Sequence, residues 1–344
     1  MERQKTIIIA EAGVNHNGSL ELAREMVHAA KAAGADYVKF QTAVPEKVIS
    51  SIAPKAEYQK ATDGEGRSQL DMCRAIHLPL GDYAGLKLLC EDEGIGFMST
   101  PFDLDSVALL CSMNPDYMKV PSGEITNLPY LRAIAAAGIP VIISTGMSTI
   151  PEIVDAVEIL TGTSEKYPSV SRLTKDDIIV LHCNTQYPTP YADVNLRAMQ
   201  EIAAATGCRI GYSDHTPGIE VPVAAVAMGA CVVEKHFTLD KNMPGPDHKA
   251  SLEPAGLASM VKMIRNVERA LGSGKKAVTE SERGNIVVAR KSIVAARDIK
   301  AGETFTADNV TVKRPGGGIS PMMWDEVLGC VAKRDFAYDT LIEI

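Results

Sequence analysis

Eight short apolar runs, each closing on a polar or charged residue and separated by segments of helical periodicity, constrain this chain more than any other feature. They are residues 6–10 into Glu11, 37–38 into Lys39 and Gln41, 96–98 into Ser99 and Thr100, and 117–118 into Lys119 and Ser122. The other four are 141–143 into Ser144, 178–182 into Asn184, 210–212 into Ser213, and 231–233 into Glu234. Continuous Val/Ile runs mark parallel strands buried on both faces, and strands alternating with helices imply βαβ units. Eight such units predict an α/β fold, a (β/α)8 TIM barrel. Its chemistry gathers at the C-terminal ends of the strands, where these polar residues fall.

Helices are expected at 20–33 (capped by Ser19, stopped at Gly34), 104–112, 130–137, 151–160, 194–205, 221–228 and 253–271. Residues 46–68 have no period and are too long for a simple connection, which suits a binding loop or lid. The barrel pattern ends near Leu271, so the expected division is a barrel at 1–272, a Gly/Ser/Lys-rich linker at 273–284 and a small domain at 285–344. That last part, with β-branched runs at 292–295 and 310–312, is small enough to need support from something larger.

A net charge of −8 argues against nucleic-acid and anionic-membrane partners, which require a basic face. The seven cysteines are odd in number and scattered, with no CxxC pair. Neither a zinc knuckle nor a disulfide framework is supported, and a reducing cytoplasm is the simplest setting. No secretory signal or membrane-spanning run is visible.

Two histidines stand at the ends of the seventh and eighth runs, His215 and His236. Imidazoles with oxygen co-ligands suit Mn²⁺, Co²⁺, Fe²⁺ or Zn²⁺. Glu234 and Asp214 are expected to add carboxylates or to hold the rings in one tautomer. Lys39 and Lys119 occupy positions where a buried strand normally carries Val or Ile, and such an ammonium is costly unless an anion neutralises it. With Ser122, Ser144 and Ser213 they predict a pocket for a phosphate or carboxylate; pairing with Glu11 or Glu124 is the compatible alternative. Glu11 is read either as a general acid or base or as a lysine partner. His16 is expected in a tight turn rather than at a metal. The loops 187–190 and 244–247 are rigid and polar, suited to a hydroxyl-rich ligand.

Taken together, the motifs resemble the sialic acid synthases, which condense phosphoenolpyruvate with an N-acetylmannosamine-type sugar. The resemblance runs through Glu11-Ala12-Gly13-Val14-Asn15-His16-Asn17-Gly18, Lys39-Phe40-Gln41, Ser99-Thr100-Pro101-Phe102 and Lys119-Val120-Pro121-Ser122-Gly123-Glu124. It continues through Ser144-Thr145-Gly146-Met147, His182-Cys183-Asn184-Thr185, Tyr187-Pro188-Thr189-Pro190, Ser213-Asp214-His215, Glu234-Lys235-His236 and Lys313-Arg314-Pro315-Gly316.

The resemblance implies a barrel followed by an antifreeze-like (SAF) domain, in a domain-swapped homodimer where each small domain covers its partner's site. It implies a divalent metal on His215 and His236, usually Mn²⁺, with Mg²⁺ or Co²⁺ as alternatives. Lys39, Lys119, Ser122, Ser144, Thr185 and Ser213 would bind phosphoenolpyruvate. Glu11, Gln41, Tyr187 and Asp247 would face the sugar, with Thr100 and Glu234 also in the substrate site, and Arg314 would arrive from the other subunit. Thr185 stands where other members carry Asn, so neighbouring Asn184 is an alternative donor. The default product is N-acetylneuraminate. The alternative is legionaminate, made from a 2,4-diacetamido-2,4,6-trideoxy-mannose. A metal-dependent aldolase, a related keto-acid sugar synthase and a non-enzymatic carbohydrate-binding protein are the rival classes.

Overall fold

A computed structural model describes residues 5–55 and 66–344. The chain divides into two compact units, Met1–Gly272 and Ser273–Ile344. In the first, eight parallel strands form the barrel: β1 Ile7–Gly13, β2 Tyr37–Thr42, β3 Gly96–Pro101, β4 Met118–Val120, β5 Val141–Ser144, β6 Ile178–His182, β7 Arg209–Asp214 and β8 Val232–His236. Their order is β3-β2-β1-β8-β7-β6-β5-β4, and β3 and β4 lie side by side at the seam. Most strands run past the apolar runs into the polar residues, because on most of them the last inward position belongs to the cavity rather than to the core.

Alternation along each strand sorts the residues into two environments. Ile9, Met98, Ile142, Ile179, Leu181 and Val232 plug the lower barrel. Their sequence neighbours, including Ile8, Val38, Phe97, Val141 and Val180, pack outward beneath the helices. One step above the plug, the same inward parity brings Glu11, Lys39, Thr100, Lys119, Ser144, Ser213 and Glu234 onto one level. Register brings two pairs of them side by side, Glu11 opposite Lys39 across β1 and β2 and Ser213 opposite Glu234 across β7 and β8.

The expected helices form at Leu20–Ala32, Leu104–Ser112, Leu128–Ala137, Ile150–Thr161, Ala198–Thr206, Glu220–Ala227 and Pro254–Ala270. Two further helices, Gln69–Ile76 and Tyr83–Glu93, add to those expected. The second buries Tyr83, Leu86 and Cys90, at helical spacing, and ends on Gly94 at φ +68°. Within the long 46–68 stretch, Glu46 belongs to a single turn, Pro45–Val48, while Tyr58, Gly64 and Glu65 lie outside the described residues.

In the second unit, β9 Ser292–Ala295 pairs antiparallel with β10 Val310–Lys313. Ile293, Ile299, Phe305, Val310, Phe336 and Ile342 form its core. The expected linker at 273–284 is corrected in its second half, because a helix, Glu280–Ala289, starts inside it. Thr279 and Glu282 cap each other's backbone there, which satisfies the first free amides of that helix. Among the described residues no helix is long and apolar enough to cross a membrane.

Candidate active site

The strand ends of the barrel open into a cavity of about 340 Å³. Its floor is a four-charge cluster. Lys39 Nζ lies 2.8 Å from Glu11 and 3.6 Å from Glu234, and donates to Thr100 Oγ1 at 2.9 Å. Lys119 Nζ donates to Ser144 Oγ at 2.7 Å and sits 3.5 Å from Glu234. Ser213 donates to Glu234 at 3.1 Å, and Gln41 donates to Glu11 at 3.3 Å. All four charged side chains are 2–5% exposed.

Burial acts on these groups unequally. It drives Glu11 well above the usual carboxylate range, with Lys39 opposing and the Glu234 charge adding to the rise. It would raise Glu234 too, but Lys119 and Lys39 outweigh it and hold that carboxylate low. Burial also weakens the Lys119 ammonium, whereas at Lys39 the two glutamates overcome it. The two carboxylates of this cluster therefore differ: Glu234 is held as an anion, whereas Glu11 takes up a proton more readily. Glu11 Oε2 and Glu234 Oε2 remain buried without a hydrogen-bond partner, despite their nearby ammoniums.

His215 and His236 come together beside this cluster, with ring centroids 5.2 Å apart. His215 Nδ1–H donates to the Asn184 carbonyl at 2.5 Å, which leaves Nε2 with its lone pair. Burial lowers His215 to about 4 and takes His236 well below the ordinary histidine range, so both rings are neutral at pH 7. His236 Nδ1 is buried and unpartnered, 4.0 Å from Asp247, whose own carboxyl is pushed up to about 6 by burial. Among the described residues no group of three or more His, Cys, Asp or Glu is arranged as a complete metal shell. Two neutral imidazoles with an orphaned nitrogen fit a divalent cation whose other positions go to water or substrate oxygens.

Asp214 takes a different place from the one expected. It follows Ser213, so parity turns it out of the cavity, where it accepts from Lys235 Nζ at 2.5 Å and from Thr216 Oγ1 at 2.9 Å. Asp214 and Lys235 face each other in register across β7 and β8, both fully buried behind the histidines. The carbonyl of Asn184, not Asp214, sets the tautomer of His215. Likewise Lys119 pairs with Glu234, while Glu124 accepts from the Asn127 amide instead.

The remaining expected residues divide cleanly. Ser122, Thr185, Tyr187 and Asp247 line the cavity with those already named. The Tyr187 ring lies 4.1 Å from that of His215, and Thr189 N–H ties its loop to the His215 carbonyl at 2.8 Å. Gly146 N–H donates to Ser122 Oγ at 3.0 Å, and a Cβ on Gly146 would stand 2.5 Å from Thr185 Cγ2. The Asn184 side chain accepts from Gln186 N–H, and Asn184 lies outside the cavity lining, so Thr185 holds the cavity position. His16 sits in the turn, its Nδ1 accepting from Gly18 N–H at 3.1 Å. Arg314 is in the second unit, exposed, donating to the Ala289 carbonyl at 3.1 Å.

The structure adds residues that the sequence motifs do not mark: Met72, Cys73 and Ile76 on helix Gln69–Ile76, and His77 just after it. The local sequence signal for that helix is the Ser68 cap, whose Oγ accepts from Asp71 N–H.

Comparison with known proteins agrees with this geometry. A model of the NeuB family matches residues 26–276, and a model of the SAF domain matches 290–343. The chain is 49% identical to the N,N'-diacetyllegionaminic acid synthase of Campylobacter jejuni, over 98% of this chain and 99% of that protein. It is 35% identical to human N-acetylneuraminate-9-phosphate synthase, over 98% and 92%. A crystal structure of N-acetylneuraminic acid (sialic acid) synthetase from Leptospira borgpetersenii superposes with a TM-score of 0.69 at 33% identity, covering 82% of this chain and 90% of that one. The TIM-like barrel is thus followed by a SAF domain, and the protein belongs to the NeuB family.

Proposed function

We propose that the protein is a phosphoenolpyruvate-dependent nonulosonic acid synthase, a transferase that joins phosphoenolpyruvate, an N-acetylmannosamine-type sugar and water into N-acetylneuraminate and phosphate. The observation that carries this is the floor of the cavity: two buried lysines, Lys39 and Lys119, with Ser144 and Thr100 hydroxyls on their ammoniums. Ammoniums so placed suit a small, highly charged anion. Ser122, Thr185 and Ser213 complete its cradle, and Gln41, Tyr187 and Asp247 face the second substrate.

In this reaction the C3 carbon of phosphoenolpyruvate bonds to the sugar aldehyde carbon, and the aldehyde oxygen takes up a proton. Water adds at C2, the C2–O bond breaks, and phosphate leaves with the bridging oxygen. Glu11, held above the usual carboxylate range by burial, is the group placed to move a proton. Glu234 stays ionised and keeps both lysines aimed at the anion. His215 and His236 would hold a divalent metal, Mn²⁺ first among candidates, which when bound supplies Lewis-acid polarisation of a carbonyl oxygen. We assign Arg314 to the partner subunit's site within a homodimer. A cytoplasmic enzyme of carbohydrate biosynthesis is the corresponding setting.

A second reading of the sugar, 2,4-diacetamido-2,4,6-trideoxy-mannose giving legionaminate, is favoured by the 49% identity to a diacetyllegionaminic acid synthase. Phosphate release measured with each sugar separately tests the proposal. Release that requires both phosphoenolpyruvate and a sugar is expected; release with no sugar dependence would overturn it.

A further inference from the structure

A side pocket of about 190 Å³ branches from the cavity and shares Gln41, Cys73, His77 and Phe102 with it. Its own walls are Ala43, Pro45, Val48, Ile49 and Gln69, so it is apolar on every side but that of Gln69. It opens between the ends of β2 and β3. In strand order the opposite wall is formed by β6 and β7, the latter carrying His215, while β8 with His236 lies two strands from β2.

One polar group is fixed at its entrance. His77 Nδ1 lies 2.9 Å from the Cys73 carbonyl, so Nδ1 carries the proton and donates. Nε2 is then an acceptor, with no partner among the described residues, on a side chain that lines both cavities. Burial lowers His77, which keeps the ring neutral. The adjoining β1 turn holds this wall in place. Gly18 adopts φ +75°, and a Cβ there would meet the Ala75 carbonyl oxygen at 2.7 Å, so the turn and the helix end touch backbone to backbone. This accounts for the Asn15-His16-Asn17-Gly18 turn, to which the charged floor gives no role.

An acceptor beside an apolar recess is the complement of an N-acyl group, which offers an N–H and a methyl. A hydroxyl would satisfy the acceptor and leave the recess empty. We propose that His77 and this side pocket select a sugar bearing a second acetamido group, at C4, in addition to the one at C2. The N–H donates to His77 Nε2 and the methyl sits among Val48, Ile49 and Phe102. This rests on the synthase reading and, within it, favours the diacetamido sugar of the second reading over N-acetylmannosamine.

The test compares kcat/KM for N-acetylmannosamine and for 2,4-diacetamido-2,4,6-trideoxy-mannose, by phosphate release, in the full chain and in His77→Leu, His77→Gln and Ala43→Leu. The wild type is expected to prefer the diacetamido sugar by about a hundredfold or more, since a site built around a hydrogen bond discriminates strongly. His77→Leu and Ala43→Leu should each cut that preference about tenfold, through the KM for the diacetamido sugar, with the KM for phosphoenolpyruvate little moved. His77→Gln, which keeps an acceptor, should restore part of it. Equal kcat/KM for both sugars in the wild type would overturn the pocket assignment and leave the synthase reading standing. So would variants that weaken both sugars alike with unchanged melting temperature. No phosphate release with either sugar would overturn the synthase reading, and the pocket assignment with it.

Discussion

Replacing Lys119 by Met separates an anion-binding role from a structural one. Met is close to the length of the lysine stem, so the cavity floor keeps its shape while the charge and its hydrogen bond to Ser144 Oγ disappear. The ion pair lost is one of two nearly equal ones at Glu234: 3.5 Å from Lys119, with Lys39 remaining 3.6 Å away. Because Glu234 keeps a cation and the Ser213 hydroxyl, folding should lose only about 1–2 kcal/mol, below the 3–5 kcal/mol typical of a buried pair broken outright. A bound anion loses a charge-assisted contact in a dry site, about 2–3 kcal/mol, or roughly 30- to 150-fold in kcat/KM for phosphoenolpyruvate. The assay is steady-state phosphate release with each substrate varied in turn, alongside thermal melting. The expected pattern is a large rise in KM for phosphoenolpyruvate, a small change for the sugar, and a melting temperature lowered by a few degrees. Equal losses on both substrates, or a collapse in melting temperature with unaltered KM values, would refute the anion assignment.

Three further outcomes follow from the geometry. Chelation should abolish turnover, and His236→Ala should lower Mn²⁺ affinity measured directly by calorimetry without unfolding the barrel; full activity of that variant in chelator would remove the metal from the site. Mixing Arg314→Ala with Lys119→Ala chains, each nearly inactive alone, should restore activity toward about a quarter of wild type if Arg314 serves a partner's barrel; no recovery despite subunit exchange would place the SAF domain over its own barrel. Burial lowers His16 from 6.5 to about 4, so between those values the unfolded chain binds the extra proton and stability falls as pH drops. The contribution is complete above pH 6.5 and loses about 2 kcal/mol by pH 5, so His16→Asn should show a shallower fall in melting temperature from pH 7 to 5 than wild type.

Strand ends are legible in the sequence because function and core diverge there: a buried strand has no reason to end on Lys39, Lys119 or Glu234 unless a polar cavity follows. Parity carries the rest of that information. Alternate positions counted inward from Ser213 and Glu234 turn Asp214 and Lys235 outward, which the strand-end motifs by themselves do not distinguish. Helix Gln69–Ile76 is hidden for a different reason. It is only eight residues long, so its short apolar face of Met72, Cys73 and Ile76 does not stand out from the aperiodic stretch before it, and its contribution to the cavity depends on where tertiary packing seats it. Helix Tyr83–Glu93 does carry its period. The second half of the expected linker has the composition of an unstructured segment, although the Thr279/Glu282 pair marks a helix start within it. Asn184 illustrates a limit of side-chain reasoning, since its contribution to His215 comes from its backbone carbonyl.

The Lys235–Asp214 pair also guards against mispairing. Parallel strands with near-continuous apolar sequence have little to choose between neighbouring alignments, and a slip of one residue turns every side chain to the opposite face. If β8 slipped by one against β7, Lys235 would enter a cavity that already holds two ammoniums, and Glu234 and His236 would be pressed into the apolar layer beneath the helices. Asp214 would at the same time be left buried without a counter-charge. The ion pair on the hidden face therefore works as a key that only one alignment fits. The two imidazoles inherit their separation from a contact that no substrate ever touches.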